Sequence, residues 1–312
     1  MVDSEAPCAG YDVIGDVHGH AHPLRMLLAK MGYLANSSGT YVHASRQAVF
    51  VGDLINRGPH VRETLRIARD MAEAKSAHVV LGNHEFNVLG MEINGADGYP
   101  LRSHSRENLA QRANTHAAFR DYPEEWTNCL AWMRMLPLSL ELQGCRVVHA
   151  AWHPPSLEVI GGRTFEDEGF LRVAFDKKTP EAKAVGISLK GIKVGLPRNG
   201  IHKDRFGHPR TKGRIRWWAN PTGKDYAELL FPPYTNAPRS TQPASHSLKG
   251  VIPYPEEACP VFFGHYCLPP TEPKIHGNAV CVDGCVTCDN KLWAYRFDGE
   301  KTPSSEKLVW AN

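Results

Sequence analysis

Four short apolar runs in this chain end alike, in a glycine followed at once by a residue able to bind a metal: Val13-Ile14-Gly15-Asp16, Val49-Phe50-Val51-Gly52-Asp53, Val79-Val80-Leu81-Gly82-Asn83 and Val261-Phe262-Phe263-Gly264-His265. A fifth run, Val147-Val148-His149, lacks only the glycine. Short stretches rich in β-branched and aromatic residues read as buried strands, and open α/β sheets gather function beyond the carboxyl ends of their strands. Five strands delivering Asp, Asp, Asn, His and His at that end predict one crevice lined by oxygen and nitrogen donors. A single Gly-Asp is often only a turn, and a single histidine is more often a core residue than a ligand. Five such residues at one kind of position outweigh that blander reading.

The donor chemistry narrows the choice of ion. Carboxylate, amide and imidazole donors without cysteine suit Mn, Fe or Zn. His18 stands two residues beyond Asp16 and can reach the same ion, and His20 and His22 continue the alternation. So many donors favour two ions over one, with Asp53 as a bridge between ions about 3.5–4 Å apart. Helical spacing after a proline start, over Pro23 to Met31 and Pro59 to Ala74, places a helix after each of the first two strands. A parallel strand-helix-strand-helix-strand unit is therefore expected from Asp12 to Leu81. Glu124 to Met135 predicts a further helix, and the C-terminal third reads as several short strands.

These residues carry a family resemblance. Gly15-Asp16-Val17-His18-Gly19, Gly52-Asp53-Leu54-Ile55-Asn56-Arg57-Gly58 and Gly82-Asn83-His84-Glu85 resemble the leading signatures of the calcineurin-like metallophosphoesterases, in their phosphoprotein-phosphatase branch and its bacterial relatives. Val148-His149-Ala150, Gly264-His265-Tyr266 and the closing Val282-Asp283-Gly284 follow in the family's order. The resemblance covers roughly residues 11 to 150 and 259 to 298 and fades between them.

It implies an α/β fold, a two-sheet β-sandwich flanked by helices. Asp16, His18 and Asp53 would hold one divalent transition-metal ion; Asp53, Asn83, His149 and His265 would hold a second, with manganese foremost. It further implies in-line attack on phosphorus by a metal-bound hydroxide, Arg57 on the phosphate, and His84 as the acid that protonates the leaving oxygen. Tyr266 joins the candidate substrate contacts. In the eukaryotic-type protein phosphatases the position of Asn56 is an aspartate. Asn56 can accept a hydrogen bond from His84 through its carbonyl but brings no charge, so His84 is expected to be a weaker base than in that branch.

The chain has 312 residues, 42% of them hydrophobic, and the proposed ligands span residues 16 to 265. One catalytic domain over residues 1–312 is therefore expected, with an inserted cap over 156–260. From Lys190 to Arg216 there are nine Lys or Arg against one acid, Asp204; this block carries +8 while the chain as a whole carries +3. Trp217 and Trp218 follow it. The block is read either as a substrate-binding surface with stacking indoles or as a solvated face whose tryptophans anchor the cap. Arg214 or Arg216 is the candidate second phosphate contact.

No run of 18 apolar residues exists and the opening residues 1–7 are polar, so a cytoplasmic protein without a membrane partner is the expectation. A net charge of +3 gives little general attraction to nucleic acid. The eight cysteines are expected to be reduced thiols. Cys281, Cys285 and Cys288 match a C-x3-C-x2-C spacing known from iron–sulfur sites, but they lie among apparent strand residues, and a structural role is preferred. His153 is expected in a loop at the pocket rim, and His104 and His116 on a solvated polar helix near Glu107 to Arg120.

A phosphomonoesterase of the protein Ser/Thr phosphatase type is the first functional expectation. A dinucleoside-polyphosphate (diadenosine tetraphosphate-type) hydrolase is the second, supported by Asn56 and the basic segment, and a phosphodiesterase or nuclease the third. A metal-binding regulatory protein without turnover is the alternative of a different class.

Overall fold

The alternation within the strand runs decides which side chains face where. In the computed structural model, which describes residues 9–197, 202–203, 207, 209–232 and 237–312, ten strands form two five-stranded sheets. The strands are β1 (Gly10–Ile14), β2 (Arg46–Phe50), β3 (Ala77–Val79), β4 (Ser139–Leu142), β5 (Cys145–Val148), β6 (Val261–Phe263), β7 (Ile275–His276), β8 (Ala279–Cys281), β9 (Leu292–Phe297) and β10 (Leu308–Ala311). The first sheet has the order β10-β9-β1-β2-β3 and the second β7-β8-β6-β5-β4. β1, β2 and β3 are parallel, as are β5, β6 and β8; the outer strands join antiparallel.

Residues at every second position form the layer between the sheets. Val13, Val49, Val147, Phe262 and Val280 pack there as one cluster. Their neighbours Ile14, Ala48 and Phe50 turn outward under the helices. Helices α1 (Ala21–Met31), α2 (Val61–Glu73), α3 (Asn83–Glu92), α4 (Arg106–Phe119) and α5 (Pro123–Met135) belong to that side of the molecule. The expected strand-helix order from Asp12 to Leu81 is present, with one added hairpin of Leu34–Ala35 and Tyr41–Val42 after α1. α1 begins two residues before Pro23, whose missing N–H lies in the first turn, where it has no partner to lose.

Three further helices, α6 (Pro154–Ile160), α7 (Glu168–Phe175) and α8 (Pro180–Lys190), extend the helical layer, with Phe170, Leu171, Val185 and Leu189 in its core. After α8 the chain crosses to the second sheet. Ile192, Val194, Ile215, Trp217, Leu230 and Phe231 cover its outer face, against Val148, Val261 and Phe263. Each large apolar side chain buried there contributes about 1.5–3 kcal/mol. Trp217 is fully buried with its ring edge-on to Phe263 at 5.2 Å, and Trp218 stacks on His276 at 5.0 Å. The tryptophans therefore anchor this segment and are not a stacking surface for a base.

Candidate active site

The glycines of the repeated motif stand where one strand-tip loop meets another. A Cβ on Gly82 would fall 2.1 Å from the backbone nitrogen of Asp53, and one on Gly264 would fall 2.0 Å from the carboxylate of Asp16. Only a residue without a side chain allows the loops to interlock this closely. Glu85, fully buried at the start of α3, ties the loops further. It accepts the N–H groups of Asp53, Leu54, Ile55 and Gly82 at 2.9–3.1 Å. Burial raises its pKa to about 7. His18, Asp53, Asn56, Arg57 and His265 all adopt left-handed φ values between 46° and 73°, a costly conformation held in place by these contacts.

The loops place Asp16, His18, Asp53, Arg57, Asn83, His84, Arg214, His265 and Tyr266 on one cleft of about 720 Å³. His149 lies beneath, fully buried. Its Nδ1–H donates to the Val51 carbonyl at 2.7 Å, so Nε2 keeps its lone pair. That lone pair faces two other acceptors, Asn83 Oδ1 at 3.1 Å and Asp53 Oδ1 at 3.4 Å. His18 repeats the arrangement, donating from Nδ1 to the Ile55 carbonyl at 3.0 Å while Nε2 points at Asp53 Oδ2, 3.7 Å away. His265 Nε2 is buried without a hydrogen-bond partner.

Acceptors converging without a proton between them fit a divalent cation, and imidazoles oriented through Nδ1 are the usual form of such ligands. Donor atoms of Asp53, His149 and His265 lie within 4.8 Å of one another. Asp16 accepts the His265 N–H at 3.1 Å. Burial lowers the pKa of His149 to about 4 and holds His18 and His265 well below 6.5, in the neutral form that ligation requires. Burial also raises Asp53 to about 7 and lifts Asp16 well above the carboxylate range, with Asp283 adding repulsion on Asp16.

His84 departs from the expected hydrogen bonding. The Thr115 hydroxyl, from α4, accepts the Asn56 N–H at 3.0 Å and donates its one proton to Asn56 Oδ1 at 2.7 Å. The carbonyl of Asn56 is thereby occupied, and its amide Nδ2 donates to His84 Nδ1 at 2.7 Å. With Nδ1 accepting from Asn56, a neutral His84 carries its proton on Nε2, the reverse of the expectation that Asn56 accepts from it; Arg57 Nη2, a donor only, stands 3.5 Å from the same nitrogen and makes no hydrogen bond to it in this tautomer. Burial first, and Arg57 second, keep its pKa well below 6.5.

Other expectations are also revised. Arg214 lines the cleft with its guanidinium 5.6 Å from the Tyr266 ring, whereas Arg216 turns away to Phe231, outside the cleft. His153 is buried at the start of α6, between the Ser156 hydroxyl and the Gly250 carbonyl, and does not reach the rim. His20 and His22 lie outside the cleft; His104 and His116 are exposed, as expected, though His104 precedes α4. Cys267, Cys285 and Cys288 converge instead of standing apart, and Cys281 is buried among apolar residues, so the C-x3-C-x2-C spacing does not assemble. Cys8, Arg198, Asp204, Arg205 and the opening residues lie outside the described residues.

The basic block, read from the sequence either as a substrate-binding surface or as a solvated face, supplies four more cations to the cleft wall, and of these cations sequence reasoning missed only Arg102. Arg102, Lys190, Lys193, Arg210 and Lys212 join Arg57 and Arg214 around the carboxylate and imidazole floor. Among the described residues, Arg57, Arg102, Lys190, Lys193, Lys212 and Arg214 have no carboxylate partner. Lys193 and Arg214 sit directly opposite each other in the antiparallel hairpin of Lys193–Gly195 and Lys212–Arg214. Like charges so placed are destabilising without an anion between them.

A family model described as calcineurin-like phosphoesterase matches residues 11–266. The chain belongs to that family. It is 45% identical over 75 residues to an asymmetrical bis(5'-nucleosyl)-tetraphosphatase, PrpE, of Halalkalibacterium halodurans, a match covering 24% of this chain and 30% of the relative. It is 34% identical over 141 residues to a symmetrical bis(5'-nucleosyl)-tetraphosphatase of Aromatoleum aromaticum, covering 45% of this chain and 44% of the relative. The chain thus spans less than half the length of the curated relatives it matches. Among solved structures, a mutant cold-active protein tyrosine phosphatase superposes with a TM-score of 0.50 at 17% identity, covering 97% of this chain and 83% of that one, which shows a shared fold. Among the described residues no helix is long and apolar enough to cross a membrane.

Proposed function

We propose that the protein hydrolyses phosphoric anhydrides, with a dinucleoside polyphosphate of the diadenosine tetraphosphate type as substrate. The expected ranking, which put a protein phosphatase first, is thereby reversed. The observation that carries the reading is the chain Thr115–Asn56–His84. Because Nδ1 of His84 accepts the Asn56 amide, the ring stays neutral and offers Nε2–H as a hydrogen-bond donor, without a second proton to give away. A Ser or Thr alkoxide leaving group needs full protonation. A nucleotide phosphate does not, since it is stable as an anion above a second pKa of about 6. Hydrogen bonding from a neutral imidazole is enough for the second and too little for the first.

The remaining residues suit a long polyanion. Seven cations line one cleft, and the Lys193–Arg214 pair is relieved of repulsion when phosphates lie between its members. Residues 156–260 act in this reading as the inserted cap that sets substrate choice. The names of the curated relatives point the same way. Two divalent ions, manganese foremost, held by Asp16, His18 and Asp53 and by Asp53, Asn83, His149 and His265, supply Lewis-acid stabilisation of the phosphoryl oxygens and acidify the attacking water when bound. Arg57, exposed at the mouth, orients the phosphoryl group, and His84 Nε2–H receives the leaving oxygen.

Turnover of diadenosine tetraphosphate, para-nitrophenyl phosphate and a phosphoserine peptide, each with Mn2+, tests the proposal. The expected result is kcat/KM highest for the dinucleotide and at least about 100-fold lower for the peptide, the range over which proton transfer to a leaving group acts. Equal or better turnover of the peptide would return the protein-phosphatase reading to first place. No turnover of any of the three, with metals bound, would favour a binding protein.

A further inference from the structure

Three sulfur atoms meet beyond the ends of two neighbouring strands. β6 and β8 run parallel with Phe263 opposite Cys281. Four residues further along each strand stand Cys267 and Cys285, so equal offsets from paired residues bring these two side by side. Cys288 follows three residues later, one helical turn on, in Val286–Asp289. One carboxylate holds both loops: Asp283 accepts the Cys267 N–H through one oxygen and the Cys285 N–H through the other, the latter at 2.9 Å. Cys267 and Cys285 adopt left-handed φ values of 49° and 63° under this clamp. The three sulfurs all lie within 4.8 Å of one another, and that of Cys285 stands at disulfide-bonding distance from both others, where reduced, separate thiols were expected.

We propose that Cys267, Cys285 and Cys288 form a second, thiolate-type metal site, separate from the Asp/His floor, that takes a thiophilic ion of the Zn2+ class. A sulfur can join only one disulfide, so pairing would use two of the three and leave the third pressed against a bonded pair. A tetrahedral ion uses all three at about 2.3 Å and leaves its fourth position to solvent. As it binds, each thiol gives its proton to solvent. The Cys-x2-Cys pair on one turn with a third cysteine from an adjacent loop is the ligand pattern of compact zinc sites. Softness separates the two centres: three sulfurs here, only oxygen and nitrogen on the floor. Cys267 stands two residues after His265, and Asp283 lies against Asp16, so an ion here braces the loop that carries His265.

Cobalt distinguishes the sites, because only thiolate ligands give Co2+ a near-ultraviolet charge-transfer band. The full-length chain, purified anaerobically with a phosphine reductant, stripped of metal and titrated with Co2+, is expected to develop that band to one equivalent per chain. Zn2+ should bleach it. Cys288→Ser, at an exposed position, and Cys285→Ser should each lose the band and one equivalent of metal while the visible bands of the oxygen–nitrogen centre remain. Should Cys285→Ser fail to fold, the wild type and Cys288→Ser decide. Absence of the band in reduced wild-type protein, its persistence in Cys288→Ser, or Zn2+ failing to protect three thiols from a thiol reagent would each overturn the proposal.

Discussion

The strand-tip floor of the cleft and the wall contributed by residues 190–214 face each other across the same space, and they are held in opposite ways. On the floor, three of the six proposed ligands are tied down by named neighbours: His149 by the Val51 carbonyl, His18 by that of Ile55, and Asp53 by Glu85 and the His84 N–H. On the wall, Lys193, Lys212 and Arg214 have no carboxylate partner among the described residues and sit on a two-stranded hairpin whose opposite face is buried by Val194 and Ile215. The floor spends its hydrogen bonds on geometry, while the wall leaves charge unneutralised. Interactions made only in the transition state act on kcat, and those made equally in the ground state act on KM. The floor should therefore govern kcat and the wall KM.

Asp53→Asn is the severest way to break this division. It removes the charge between the two sets of donors, and activity with Mn2+ should fall more than about 10³-fold, with bound metal reduced in elemental analysis. Retained metal with retained turnover would dismantle the proposed centre. Next in size is His84→Asn, which deletes one donor to the leaving oxygen. A loss of about 10²-fold in kcat is expected, with metal content unchanged. Loss of metal in this variant would make His84 a ligand instead.

Asn56→Asp sharpens the comparison within the floor itself. A carboxylate at position 56 accepts from His84 Nδ1 and lets the ring carry two protons. Turnover of the phosphoserine peptide should rise about 10-fold, with little change for the dinucleotide. A parallel change for both substrates would mean that the leaving group is not what His84 serves. Thr115→Val is the companion measurement. It strands the Asn56 carbonyl and N–H at a cost of about 1–3 kcal/mol, visible as a lowered melting temperature.

Why the floor was legible residue by residue and the wall only as an undecided block of charge follows from the same contrast. Strand-tip donors lie next to their own glycine signal, so each motif of a few residues carries its own meaning. The two-sheet layering came from the family resemblance and not from periodicity; alternation then explains why Val13 and Ile14, on opposite sides of one strand, fall between the sheets and under the helices. Thr115 gave a fainter signal, because in α4 only Thr115 and Phe119, one helical turn apart, are buried. Nothing local links Arg102 or Lys190 to the site; the segment between α3 and α4, tied to Gly90 and Asn108, brings the first there, and the placement of α8 the second. The tryptophans were ambiguous for a related reason. A Trp after a basic block looks the same whether it faces solvent or a sheet, and Phe263, 46 residues after Trp217, settles it. The cysteine trio adjacent in sequence was rightly set aside, since Cys281 is buried among apolar residues; what the sequence did not reveal is that Cys267, from the neighbouring strand's loop, comes to Cys285 and Cys288.

The smallest expected effect belongs to the wall and is read by pH. Burial, then Arg102 and Lys193, lower the Lys190 pKa to about 8, with Lys177 acting in the same direction and Asp53 opposing. Lys190 is therefore charged below pH 8 and loses its charge above it, so affinity for a polyanion should weaken a few-fold between pH 7 and pH 9. Stability should move the other way. The unfolded chain still binds this proton up to about pH 10.5, so between 8 and 10.5 it holds more protons than the folded one, and raising pH there favours the fold. Calorimetric binding of inorganic tripolyphosphate and thermal melts over pH 7–10 measure both slopes on one sample. Burial, then Arg214, lower Lys193 to about 8 as well, so Lys190→Arg should remove only part of the pH dependence of binding and of the stability gain, while Lys190→Arg with Lys193→Arg, whose guanidinium groups stay charged throughout, should remove most of both. Binding that strengthens with pH in the wild type would show that the wall is not what receives the phosphates.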